Sequence, residues 1–345
     1  MPTSTDIRGA AAPDPRRPHP DGTARSVVGS IGPAAGVVGI GRASGKAILF
    51  GEHAVVYGHP AIALPVTALT ARAEAERTEG ETWLESDLYT GPLRFAPDRL
   101  LPTATAASAV LATVGTADEG VRLRVRSDIP AERGVGSSAA VAAAIVGAVA
   151  AAFDEELDDA THHELVQAAE RAAHGTPSGL DARAVRARGP IWFDRGRVDS
   201  VPVGAPLVFV VADTGVRGRT GEAVAGVRDL HAREPERAGD LIRHLGAQAA
   251  AARADLARGD VDALGARMTL AHALLDDLGV GDPALDALVE TALAAGAAGA
   301  KLTGGGRGGC VLALARGGAH GGPLVDALRT AGAADVWITT VERTR

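Results

Sequence analysis

Val135 to Phe153 carries no charged side chain, and no other uncharged run in the chain is long enough to raise the question of a membrane span. It is built mostly from Ala, Gly and Ser with scattered Val and Ile, far less apolar than a Leu- and Ile-rich span. A helix buried in a water-soluble core is the reading that fits. Such a helix needs sheet around it, and the flanking sequence supplies it. Val121, Leu123 and Val125 alternate with Arg122, Arg124 and Arg126, the period of a half-buried strand, and a glycine loop from Asp128 to Gly136 leads to a helix start at Ser137 or Ser138.

The rest of the chain fits around that unit. With 345 residues, about twice one domain's usual length, two packed units are expected. Hydrophobic residues at 46% and charged residues at 22% exclude a disordered or multi-pass membrane chain, and aromatics at 3% leave a core of Ala, Val and Leu. A net charge of -7, with basic residues scattered, speaks against nucleic acid, and one cysteine, Cys310, excludes an intrachain disulfide or a multi-cysteine zinc site. Residues 1–30 lack the apolar stretch of a secretory signal and read as a disordered extension on a cytoplasmic protein with no membrane partner.

Strand patterns run from about Val37 and through Ala61 to Leu64. A helix from Thr161, with a Thr161/Glu164 capping box, ends near Gly175, and another starts at Ser178. Beyond a boundary near Gly204 come a strand at Leu207 to Ala212, helices over 220–297, strands over 299–303 and 310–315, a helix over 323–331 and a strand over 335–341. With helices added to its first crossover, that order is β-α-β-β-α-β, a ferredoxin-like unit.

Three glycine-rich stretches could carry chemistry. Gly41 to Lys46 lacks Walker spacing and leads into an apolar strand, so a P-loop is rejected. Gly304, Gly306 and Gly309 satisfy G-x-G-x-x-G, yet Cys310 to Leu314 reads as strand where a dinucleotide site needs a helix. The stretch Pro130-Ala131-Glu132-Arg133-Gly134-Val135-Gly136-Ser137-Ser138-Ala139 ends a strand connection and opens a helix, which suits a polyphosphate; the alternative is a core helix capped by Ser137 or Ser138. Of the 35 basic residues only Lys46 and Lys301 are lysines, each beside a glycine-rich stretch, where a compact ammonium can approach a phosphate or carboxylate. Glu170 on a helix can hold Mg²⁺ or be a solvated charge, and Asp181 can accept a hydroxyl proton or complete a capping box with Ser178.

Together these segments resemble the three signature motifs of the GHMP small-molecule kinases, with the mevalonate kinases nearest among them. They are Gly45-Lys46-Ala47-Ile48-Leu49-Phe50-Gly51-Glu52-His53-Ala54-Val55-Val56-Tyr57-Gly58, the Ile129 to Ala140 loop, and Lys301-Leu302-Thr303-Gly304-Gly305-Gly306-Arg307-Gly308-Gly309-Cys310. His174 to Asp181 resembles the family's catalytic-aspartate segment.

The resemblance implies an α+β fold of two domains: a ribosomal-protein-S5-domain-2-like unit over 31–204 and a ferredoxin-like unit over 205–345. It implies ATP and Mg²⁺ as cofactors and mevalonate as substrate, with oligomeric state, a homodimer included, left open. Asp181 would be the base and Lys46 its partner. Ser138 and Glu170 would hold the metal, Gly134 to Ser138 would wrap the phosphates, and Gly304, Gly305 and Gly306 would support that loop. Glu52 and His53, with Lys46 and Asp181, would border the acceptor, followed by Ala54-Val55-Val56 where a galactokinase-like chain would be polar. Phosphomevalonate kinase is the rival enzyme, and a non-catalytic nucleotide-binding regulator the rival of another class. Two departures stand out. Ser44 replaces the usual proline before Gly45, which is expected to loosen that turn, and Arg307 replaces a glycine, where a cationic contact to phosphate is expected.

Overall fold

The glycine-punctuated segment that begins the first motif is a single strand, not two runs: β1 spans Val38–Phe50 and pairs antiparallel with the 19-residue β2, Ala61–Glu79. A computed structural model describes residues 38–115 and 119–344, and the expected 1–30 extension lies outside the described residues. The strands β3 (Trp83–Ser86) and β4 (Tyr89–Pro92) form a hairpin, followed by α1 (Leu101–Val114) and β5 (Glu119–Ser127). Then come α2 (Ser137–Ala152), α3 (Asp159–His174), the short α4 (Leu180–Ala184), β6 (Ile191–Asp194) and β7 (Arg197–Ser200).

The seven strands make one sheet in the order β4-β3-β5-β2-β6-β7, with β1 on the other side of β2. The helix α2 lies on it, with eleven of its residues buried. Its backbone rests directly on β1: a Cβ added at Gly41 would come within 1.9 Å of Ala144 O, and one at Gly39 within 2.1 Å of Ala148 O. Small residues on both elements are what permit that approach.

The second sheet is built from β8 (Leu207–Asp213), β9 (Gly299–Thr303), β10 (Cys310–Leu314) and β11 (Asp335–Val341). Its helices are α5 (Thr220–Arg233), α6 (Pro235–Arg258), α7 (Val261–Asp277), α8 (Pro283–Ala294) and α9 (Gly321–Thr330). The strand order β11-β8-β10-β9, antiparallel throughout, is the ferredoxin-like order expected, with α5 to α8 filling the first crossover.

The two sheets are stitched together by threonines. Where Pro65 and Thr67 lie at an irregularity of β2, Thr339 Oγ1 on β11 accepts from Thr67 N at 3.3 Å and donates to Pro65 O at 3.2 Å. Thr303 Oγ1 on β9 accepts from Ile48 N at 2.8 Å and donates to Ile48 O at 3.1 Å.

Several local expectations are corrected. The cap of α3 is Asp158, whose carboxylate accepts from Thr161 N, so the helix starts at Asp159 and there is no Thr161/Glu164 box. Neither serine caps α2: Gly136, at φ 80°, occupies that place, and Ser137 Oγ donates to Ile129 O. Ser178 Oγ accepts from Leu180 N, but the residue at the cap of α4 is Gly179. At α2 a backbone contact claims the Ser137 hydroxyl that a local cap would use, and at α3 the cap falls three residues earlier, at Asp158. The turn at Ser44 is not loosened, because that residue lies within β1 and both its N–H and its hydroxyl donate to Val185 O.

Candidate active site

The register break at Ser44 and Gly45 of β1, where the extra residues lie on β2, organises the site. On either side of it the strand is clasped by other segments: Ser44 N donates to Val185 O just after α4, and Lys46 N donates to Val135 O in the glycine loop, both at 3.0 Å. The strand thereby brings the segment carrying Asp181 and the loop carrying Ser138 to the same side chain. Lys46 is buried, and its Nζ lies 3.2 Å from Asp181 Oδ2, while Asp181 keeps 36% of its side chain exposed. A buried ammonium thus stands beside a carboxylate that remains reachable from outside.

Asp181 is held from several directions. It lies in the first turn of α4, which is tied to α3 by Arg183 and Arg186, both on the Asp159 carboxylate. The turn before it is anchored by Gln167 Nε2 donating to Pro177 O at 3.2 Å. Sequence reading missed Gln167, although a polar residue on the inner face of an amphipathic helix was a signal for it.

Glu170, on α3, is buried at 2% exposure. Burial pushes its carboxyl above the usual range and the nearby Asp181 charge adds to this, while Ser138, His174 and Lys46 pull the other way. Glu170 Oε1 and Ser138 Oγ are both buried with no hydrogen-bond partner among the described residues. These hard oxygens, on residues close enough for Ser138 and Asp181 to act on Glu170, are a donor set that suits Mg²⁺, which takes few protein ligands and completes its shell with phosphate and water. Among the described residues there is no group of three or more His, Cys, Asp or Glu that could hold a metal ion.

At the head of α2 no side chain caps the first N–H groups, so the helix dipole and the open amides of Ser137, Ser138 and Ala139 face the loop. That loop packs backbone to backbone against the third motif. Gly134 (φ 76°) would place a Cβ 3.0 Å from Thr303 O, and Gly304 (φ 87°) would place one 2.9 Å from Gly134 Cα, so neither position has room for a side chain.

The polar side chains of the loop are used to hold it. Arg133 Nε donates to Asp213 Oδ2 at 2.9 Å and Arg133 also donates to Gly215 O at 3.1 Å, leaving Nη1 buried without a partner. Glu132 O accepts from Gly218 N at 2.8 Å. Asp213, one residue beyond the strand end read from sequence, is thus a further residue that reading missed. Pro130, next to Ile129, leads into this loop. Gly306 turns the third motif at φ 81° against Val280.

Arg307 corrects an expectation. Its guanidinium donates to Gly279 O at 3.3 Å and Glu222 O at 3.4 Å, so it clamps the helices of the second sheet instead of pointing toward phosphate.

The first motif ends in Glu52 and His53, both buried. His53 Nε2 lies 2.9 Å from Gly305 O, and a carbonyl partner means that this nitrogen carries the proton. Burial, reinforced by Arg307, holds His53 below the usual histidine range, so the ring is neutral at pH 7. Glu52 pairs with Lys301 across the two sheets, with both side chains fully buried. Lys301 therefore faces a carboxylate and not a phosphate.

Comparison with known proteins agrees with this geometry. Residues 102–187 match the GHMP kinases N terminal domain and residues 252–334 the GHMP kinases C terminal domain. The chain is 36% identical over 296 residues to a mevalonate kinase of Thermococcus sibiricus, covering 80% of this chain and 89% of that one. It is 35% identical over 303 residues to a mevalonate kinase of Pyrococcus furiosus, with the same coverage. The structure of L. major mevalonate kinase in complex with R-mevalonate superposes with a TM-score of 0.78 at 27% identity, over 90% of this chain and 97% of that one. The chain belongs to the GHMP kinases, ATP-dependent small-molecule phosphotransferases, and within them to the mevalonate kinases. Among the described residues no helix is long and apolar enough to cross a membrane.

Proposed function

We propose that the protein transfers the γ-phosphoryl group of ATP to the primary 5-hydroxyl of (R)-mevalonate, giving 5-phosphomevalonate and ADP. The observation that carries this reading is the Lys46–Asp181 pair at 3.2 Å, set beside the uncapped head of α2 and the orphaned oxygens of Ser138 and Glu170. Asp181 takes the proton of the acceptor hydroxyl as the oxygen attacks phosphorus. Lys46 lies beside Asp181, where negative charge develops on the reacting oxygens. The amides of Ser137, Ser138 and Ala139, with the loop from Gly134, cradle the phosphates in the field of the helix dipole. Ser138 and Glu170 would hold Mg²⁺, which supplies charge neutralisation on the phosphates when bound. Most of the rate then comes from positioning and charge stabilisation, as phosphoryl transfer requires.

We place the acceptor against Glu52 and His53, in the segment that continues with the apolar Ala54 and Val55. Such a lining fits a methyl-bearing carbinol better than a ring of sugar hydroxyls. Phosphorus NMR of the product tests the reading. A phosphomonoester on the primary oxygen is expected, with galactose, homoserine and 5-phosphomevalonate turned over at least ~100-fold less efficiently. Phosphate on the tertiary oxygen, or a diphosphate made from 5-phosphomevalonate, would sink it.

A further inference from the structure

Lys301 is, with Lys46, one of only two lysines in a chain that otherwise uses arginine. It is fully buried in β9, and its ammonium has three acceptors: Ile48 O at 3.5 Å, Leu302 O at 2.6 Å and the Glu52 carboxylate. An ammonium has three hydrogens, so the group is saturated by protein; a guanidinium, with five donors, would leave two of them unpaired in a buried place.

The carboxylate it grips is not saturated. Glu52 gives one oxygen to Lys301, and Oε2 is buried with no hydrogen-bond partner among the described residues. The neighbouring His53 cannot serve it, since the protonated Nε2 is already on Gly305 O. Lys301 and Lys46 are the charged groups acting on Glu52, and Lys46 is engaged with Asp181. A buried carboxylate oxygen left open in this way, in the segment that borders the acceptor, calls for a donor from outside the protein.

Strand β9 also fixes where that oxygen stands. Two residues after Lys301, Thr303 closes both of its hydrogen bonds on Ile48, and the next residue, Gly304, is seated on Gly134 of the phosphate loop. One rigid strand thus spaces Glu52 from the phosphates. Resting on the proposed reading that mevalonate is the acceptor, we infer that Lys301 is a positioning residue for that acceptor: from the second sheet it orients Glu52 so that Oε2 takes a hydrogen bond from a mevalonate hydroxyl.

The test compares Lys301→Met, Glu52→Gln and the double variant Glu52→Gln/Lys301→Met, by steady-state kinetics with each substrate varied. All three are expected to raise KM for mevalonate at least ~10-fold while KM for ATP stays within about twofold, a split that general loosening of the fold would not give. Because Lys301 acts through Glu52, the double variant is expected to be no worse than Glu52→Gln alone. If Lys301→Met does not fold, the charge-neutral double variant measured against Glu52→Gln carries the same comparison. An unchanged KM for mevalonate in Lys301→Met, an equal rise in both KM values, or a double variant worse than Glu52→Gln would overturn the inference. Absence of mevalonate turnover in the wild-type enzyme would instead overturn the proposed function, and the inference with it.

Discussion

The site contains two lysine–carboxylate pairs of the same chemistry in opposite surroundings. In Lys46–Asp181 the cation is buried but the acid keeps 36% of its side chain exposed, whereas in Lys301–Glu52 neither side chain is exposed at all. Burial pushes Glu52 up and Lys301 down, and their mutual attraction is the main influence against it, with Lys46 helping to hold Glu52 down while pushing Lys301 further down, so each depends on the other to stay charged. Asp181 has water on one side and can give up its partner during a reaction. The open pair is arranged for proton transfer, and the closed one for holding geometry.

That contrast is most directly broken by substituting one member of each pair. Asp181→Asn keeps the shape of the side chain and removes the base, so kcat is expected to fall by roughly 10²–10⁴ with nucleotide affinity and melting temperature nearly unchanged. Lys301→Met is expected to reverse the pattern, losing about 3–5 kcal/mol of stability by leaving Glu52 unpaired in the interior. Denaturant titration alongside turnover assays reads both. Equal stability losses in the two variants would show that the difference in burial does not separate their roles.

A smaller effect sharpens the open side of the comparison. Glu170→Gln and Ser138→Ala each remove one of the orphaned oxygens, and the magnesium concentration giving half-maximal rate is expected to rise about tenfold or more in both. Ser137→Ala should change it little, since Ser137 Oγ is already on Ile129 O. Magnesium titration of the rate checks this, and an unchanged requirement in Glu170→Gln would return that residue to a purely structural role.

The smallest effect on activity is expected at His162, a buried group on α3 that belongs to neither pair. Burial, with Arg186 adding, pushes its pKa down to about 4 from 6.5. The unfolded chain therefore binds a proton that the folded protein does not, so the contribution of His162 to stability is complete above pH 6.5 and is lost as pH falls toward 4. That loss amounts to at most ~3 kcal/mol. Melting curves between pH 7 and 4.5 should flatten in His162→Gln relative to wild type, with kcat at pH 7.5 unchanged. A parallel pH dependence in the two proteins would remove His162 as the cause.

Much of this molecule was legible in one dimension. The uncharged run of α2, the alternation of β5 and the β-α-β-β-α-β order of the second sheet all follow from periodicity, which is a property of neighbours along the chain. The motif segments that meet at the site could be picked out by their glycines and their two lysines. The hairpin β3–β4 and helix α1 were not, for their segments are short or weakly patterned.

What only the tertiary structure decided is the assignment of partners. The resemblance implied that Lys46 partners Asp181, but nothing in the sequence said that Lys301 faces Glu52, 249 positions away, because both lysines sit in similar glycine-rich surroundings. Nor could it say that Arg133 is spent on Asp213, that Arg307 turns toward Gly279 and Glu222, or that Asp158 and Gly136 displace the expected caps. Local pattern sets how each segment folds. Burial and charge pairing, which set what each side chain does, exist only once segments distant in sequence have packed against one another.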